Sequence, residues 1–395
     1  MQTNSITNEL EKRLIYLLLY IMLLFWPSAV LGYGFCYFIG FIVAYYLFLK
    51  RQNKIDIGLL CLATVLVILH LISIVIGSSY WSLDLGNILT LIIALLFTSS
   101  IPFKEFAIRY TKLLYFISCF SLITFVLNIF LPSFFSFFPE IDATVRAVNV
   151  FFSIIPLGME TYIRNFGAWG EPGMYGVYLF VAFLLELFYF KANSPKFLLL
   201  FTISVITTFS TATYISCIIL YFVFLWNSQS IKRKYKIAIL CVSVLLLFAI
   251  VAYSLTGGGN SYVFAKLLET DSESGTTFER IRAVQTAISL IVSYFPFGCG
   301  WGVYSDYLLN EETILTATPL NWFAIYGVLY GIIMNIGVFL CAKRISNTLM
   351  QALGIMLAIF ACIISQEVSS VLISIIPIFY AFKLSRPQQL INDEN

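Results

Sequence analysis

Arg164-Asn165-Phe166-Gly167-Ala168-Trp169-Gly170-Glu171-Pro172-Gly173 runs directly into an apolar segment at 173–190. One cation, one carboxylate, a proline and three glycines stand at the mouth of a run that can cross a bilayer as a helix. A span boundary needs none of these in particular. The stretch therefore reads both as the start of a transmembrane helix and as a candidate site. Pro172 suits the first helical turn, where a missing N–H costs nothing. Glu171 then faces the positive end of the helix dipole. It is either a cap or a carboxylate that accepts a proton or orients Arg164. Gly167, Gly170 and Gly173 permit tight turns and close approach of a substrate.

Outward from this stretch, the chain has 395 residues, 60% hydrophobic and 11% charged, against roughly 25% charged in an ordinary soluble domain. Apolar runs recur from end to end, and only helices that satisfy their own backbone cross lipid in series. The fold expected is an all-α polytopic integral membrane protein, a single transmembrane domain over 1–395. About twelve spans can be placed, at 13–31, 34–49, 57–77, 86–101, 113–131, 173–190, 196–210, 212–226, 237–255, 318–342, 347–364 and 368–383. The pair at 196–210 and 212–226 is short and could form one broken helix. Pro27 is expected to kink the first span. That span lacks a small-residue cleavage site and is followed at once by another, so it reads as retained rather than as a signal peptide.

Eighteen of the 23 lysines and arginines fall on one side of this topology. The positive-inside rule makes that side cytoplasmic, with both termini on it. The other side keeps Arg146, Arg164, Lys266, Arg280 and Arg282, against thirteen acidic residues that include Glu171, Glu279 and Glu367. Two long segments lie there, 132–172 and 256–317. Their apolar stretches, Val148 to Leu157 and Ala283 to Phe297, are expected to lie on or dip into the membrane face as amphipathic or re-entrant pieces. An anionic ligand would be repelled by that acidic field unless a local cation cluster drew it in. Four of the five outer cations are arginines, whose planar fork grips phosphate in bidentate fashion. Pairing with outer acids is their plainer role.

Phe278-Glu279-Arg280-Ile281-Arg282 precedes an apolar stretch and then Pro296-Phe297-Gly298-Cys299-Gly300-Trp301-Gly302. Glu279, Arg280 and Arg282 could line one edge of an outer cavity. The glycine run, Gly300 at its centre, is either a tight re-entrant turn or a row of amides offered to an oxyanion. The single histidine, His70, lies among leucines and isoleucines and is expected to be buried and hydrogen-bonded. Glu186 is expected to reach the inner surface near Lys191. Eight scattered cysteines show no Cys-x-x-Cys and read as buried small hydrophobes. No metal-ligand spacing and no Ser–His–Asp arrangement are present.

Arg164-x-x-Gly167-x-x-x-Glu171-Pro172-x-x-Tyr175-Gly176 resembles the signature of the superfamily of O-antigen polymerases (Wzy-type) and O-antigen ligases. Phe209-Ser210-Thr211-Ala212-Thr213 is similar to its Ser-rich break between spans. Arg280 with Pro296-x-Gly298-x-Gly300-x-Gly302 resembles its second arginine-bearing loop, and Asn321 to Gly331 its next segment. The resemblance implies a GT-C-like membrane glycosyltransferase with two large periplasmic loops in the bacterial inner membrane. Its substrate would be an undecaprenyl-pyrophosphate-linked glycan, polymerised into O-antigen or capsule. It implies no cofactor, no metal and no nucleic-acid partner. Membrane lipids and a chain-length regulator protein are the expected partners. Arg164, Arg280 and Glu171 would be catalytic. Arg146, Arg282, Glu279, Gly167, Gly300 and Tyr175 would bind substrate. Ligase members carry a histidine in the second large loop, and 256–317 has none, which favours polymerase over ligase. A flippase or transporter would need charges deep in the spans, where only Glu186 is found.

Overall fold

The computed structural model describes residues 2–23, 33–142, 147–150, 152–156, 164–227, 276–310 and 316–383. Its helices are α1 (Gln2–Leu23), α2 (Tyr33–Lys50), α3 (Ile57–Ile76), α4 (Trp81–Ser100), α5 (Phe103–Phe130), α6 (Pro172–Leu184), α7 (Pro195–Thr208), α8 (Thr211–Asn227), α9 (Thr276–Ser293), α10 (Gly300–Asn310), α11 (Thr318–Tyr326), α12 (Val328–Arg344), α13 (Leu349–Ile363) and α14 (Leu372–Phe382). The segments 57–76, 81–100, 103–130 and 172–189 are each long and apolar enough to cross a membrane. Shorter apolar helices, α7, α8, α13 and α14 among them, pack around these. This is a helical membrane protein. The span expected at 237–255 lies outside the described residues, as do Pro27 and the second half of the first span.

Lysine and arginine placement is mirrored in the packing. Arg51, after α2, donates to both carboxylate oxygens of Glu105 at 2.9 and 3.2 Å. Arg109 reaches Glu105 at 2.6 Å, and Glu11 pairs with Lys50 and Arg51, each at 3.4 Å. Lys383 donates to the Thr98 carbonyl at 2.8 Å, and Arg344 to the carbonyl of Lys383. The basic ends of α1, α2, α5, α12 and α14 thus meet at one end of the bundle. Gly176 of α6 lies against Thr213, and Gly354 of α13 against Val223, so α8 packs between α6 and α13. The segments 196–210 and 212–226 are two helices, interrupted at Phe209, which has φ +49°.

Three elements differ from expectation. The segment 132–172 is not purely helical: β1 (Glu140–Asp142), β2 (Ala147–Val150) and β3 (Ser153–Pro156) form an antiparallel sheet in that order. Val148, Val150 and Ile155 bury one face against Phe135, and alternate positions on one face are what a strand presents. At the β2–β3 turn, Phe152 packs edge-on against Tyr20, Phe116 and Phe120. The expected span 318–342 is split at Gly327 into α11 and α12. They fold back on each other, with Asn335 donating to the Pro319 carbonyl at 3.2 Å.

Glu186 is the third difference. It does not reach the surface beside Lys191: it is 2% exposed, within a π-helical turn at Leu185–Tyr189, and its Oε2 has no hydrogen-bond partner. An unmet buried oxygen costs about 1–3 kcal/mol. Glu186→Leu is therefore expected to raise the thermal midpoint of the detergent-solubilised protein by a few degrees. A lower midpoint would show that this carboxyl stabilises the fold.

Candidate active site

At the end of the bundle opposite the basic cluster, residues 164–171 form an ordered turn. Asn165 holds it: its Nδ2 donates to Thr207 Oγ1 at 3.0 Å, and its Oδ1 accepts the Gly167 amide at 3.0 Å. Gly167 has φ +56° and lies on the ring of Tyr175. Tyr175 is fully buried, bonded through its hydroxyl to Ser118 and Ser121 at 3.0 Å each, and stacked on Trp169. Neither Gly167 nor Tyr175 faces a cleft. They form the buried floor on which the turn rests.

Arg164 and Glu171 stand at the two ends of this turn. Arg164 donates from Nε to the Thr208 carbonyl at 3.2 Å and from Nη2 to the Phe209 carbonyl at 3.3 Å, meeting the unpaired carbonyls that end α7. Glu171 occupies the N-cap of α6 in an extended conformation, but its side chain caps nothing. It is exposed, and its Oε1 accepts from Gln366 Nε2 at 3.2 Å. The capping role is excluded, and the partner identified for this carboxylate is Gln366.

Gln366 belongs to the turn between α13 and α14, beside Glu367. Glu367 Oε2 accepts from Tyr304 Oη at 3.1 Å and from Asn321 Nδ2; its Oε1 accepts from the Ser369 amide at 3.0 Å and from Ser369 Oγ. The side chain thus joins α10, α11 and the turn. Behind it, Trp301 Nε1 donates to Tyr326 Oη at 2.9 Å, and the Tyr326 ring lies 4.9 Å from His70. His70 is buried as expected, its Nε2 3.1 Å from Asp84 Oδ1.

Arg280 and Arg282 lie on α9, the first half-buried and the second exposed, and α9 packs against α11. Glu279 is in the same helix, with only its backbone described. Arg146 lies outside the described residues. Gly300, with φ +70°, fits against the backbone of Ser73 and Ser78. The glycine run offers no row of amides to an oxyanion. Gly298 N donates to Tyr294 at 3.0 Å, Cys299 N to Ala324 at 2.8 Å and Gly302 N to Ser78 at 2.8 Å. It is a tight structural turn.

The structure therefore brings together Glu171, Gln366 and Glu367, from positions 195 apart in the chain. It places Arg164 and Arg280 on separate elements. The sequence singled out Glu171 and counted Glu367 only among the outer acids, and it carried no signal for Gln366, Tyr304 or Thr318. No family model, curated protein or solved structure matches the chain.

Proposed function

We propose that the protein is a repeat-unit polymerase that joins undecaprenyl-pyrophosphate-linked oligosaccharides into a bacterial surface polysaccharide. One observation carries the reading. Glu171 is an exposed carboxylate that serves no cap and is held by a single identified donor, at the lysine-poor end of an apolar bundle. That is the setting of a general base that must stay available to a substrate. The lysine-rich end faces the cytoplasm, which puts Glu171 and Arg164 on the periplasmic side of the inner membrane.

In this reaction the acceptor hydroxyl attacks the anomeric carbon of the donor's reducing-end sugar. Its proton passes to a Glu171 oxygen, the bond from the anomeric carbon to the pyrophosphate oxygen breaks, and undecaprenyl pyrophosphate leaves. Arg164 and Arg280 stabilise the charge on the leaving diphosphate, with Arg282 and Arg146 assisting. Two backbone carbonyls fix the plane of the Arg164 guanidinium before any ligand arrives.

The test is purified protein in proteoliposomes supplied with the lipid-linked repeat unit. Wild type is expected to produce a ladder of lengths, and Arg164→Ala and Arg280→Ala each to lose about 10²-fold in rate. Normal ladders from both variants would overturn the role of these arginines. In cells, loss of a polymerase leaves single repeats on the carrier, whereas loss of a ligase leaves long chains there.

A further inference from the structure

We propose that Gln366 is a positioning residue for the Glu171 carboxylate, and that Glu367 and the segment 318–322 hold it in register. The proposal rests on the reading of Glu171 as the general base. Gln366 is buried, and its amide reaches Glu171 Oε1 at 3.2 Å by passing across Gly173. A Cβ at position 173 would lie 2.2 Å from Gln366 Nε2 and 3.2 Å from Glu171 Oε1. The contact therefore exists only because residue 173 has no side chain.

The turn carrying Gln366 is stitched to α11 along its length. Thr318 Oγ1 donates to the Gln366 carbonyl and accepts the Val368 amide at 2.8 Å. Trp322 Nε1 donates to the Ser369 carbonyl at 2.9 Å, and Asn321 donates to Glu367. Glu367 itself takes four donors from three segments. A carboxylate so fully engaged is poorly placed to take a substrate proton, but it fixes the backbone of its neighbour.

Glu171 alone is an exposed side chain free to sample several rotamers. An amide pinning Oε1 selects one of them and leaves Oε2 for the acceptor hydroxyl. A base must come within about 2.6–3.2 Å of the proton it takes, and a 1 Å error costs about 10²-fold. Gln366 thus acts through Glu171 and touches no reacting atom.

The experiment uses the full-length protein in proteoliposomes with the lipid-linked repeat. Gln366→Leu removes the donor and keeps the bulk. Gly173→Ala leaves both partners in place and pushes the amide aside. Each is expected to lower kcat at least tenfold with KM within twofold, and neither to slow Glu171→Gln further. Wild-type kcat in Gln366→Leu, or effects that multiply onto Glu171→Gln, would overturn the proposal. A packing role alone predicts that multiplication. Should Gln366→Leu not fold, Thr318→Val loosens the same anchor and carries the same test. If wild type makes no polymer, the reaction assignment fails and positioning is judged by thermal midpoints instead. Non-additive shifts for Glu171→Ala and Gln366→Leu support it, and additive shifts refute it.

Discussion

Glu171→Gln, assayed with the lipid-linked repeat, is expected to lower kcat by about 10²–10⁴-fold, the range a positioned general base contributes. The substitution is close to isosteric. The glutamate side chain makes no capping bond to α6, so the helix start loses no hydrogen bond. A glutamine at 171 can still exchange a hydrogen bond with the Gln366 amide, so the local fold should persist and the thermal midpoint should move little. KM should also hold, because the lost group acts on the proton and not on the bound diphosphate. Initial rates across a range of substrate concentrations decide it. Activity within threefold of wild type would remove Glu171 from the chemistry.

Gly327→Ala is the second large effect, and it falls on the fold. Gly327 has φ +93° and ψ 171°, a region open in practice only to glycine, and entry by another residue costs of order 1–3 kcal/mol. A Cβ there would also lie 2.6 Å from the Pro296 carbonyl oxygen and 2.7 Å from the Phe297 carbonyl, both backbone atoms that cannot swing away. The Val328 amide donates to that same Pro296 oxygen at 2.8 Å, so retreat breaks a further bond. Overpacking adds about 1–3 kcal/mol more. The α11–α12 fold-back should open, and with it the anchors on Thr318, Asn321 and Trp322. A thermal midpoint lowered by many degrees, or failure to accumulate in the membrane, is the expected readout. A midpoint within two degrees of wild type would contradict the conformation described for Gly327.

Helix positions were largely legible because lipid imposes a simple rule: long apolar runs, with lysine and arginine at one set of ends. Arg51, Arg109, Arg344 and Lys383 gather as that rule requires. Gly327 was illegible because glycine is common inside transmembrane helices, and nothing in Asn321 to Gly331 declares a positive φ. Val148 and Val150 do alternate, but four residues are too few to separate strand from helix against an apolar background. Glu171 was legible as a lone carboxylate before a proline. Its partner was not, since one sequence carries no record of which distant residue meets it. Glu186 misled because a long acidic side chain near a helix end usually finds water, whereas here the chain widens into a π turn and folds it inward.

The helices flanking Gln366 and Glu367 are short, at 15 and 11 residues. At 1.5 Å per residue they rise only about 22 and 16 Å, against roughly 30 Å of hydrocarbon. Arg344, just before α13, and Lys383, at the end of α14, lie together, so a bilayer of that thickness would leave the turn between α13 and α14 beneath the opposite headgroups. A lipid-borne sugar would have to descend to meet it, into a layer where bulk water is scarce. For the glycosyl transfer proposed above, hydrolysis of the activated glycan is the side reaction to suppress, and a floor at that depth would suppress it by excluding water.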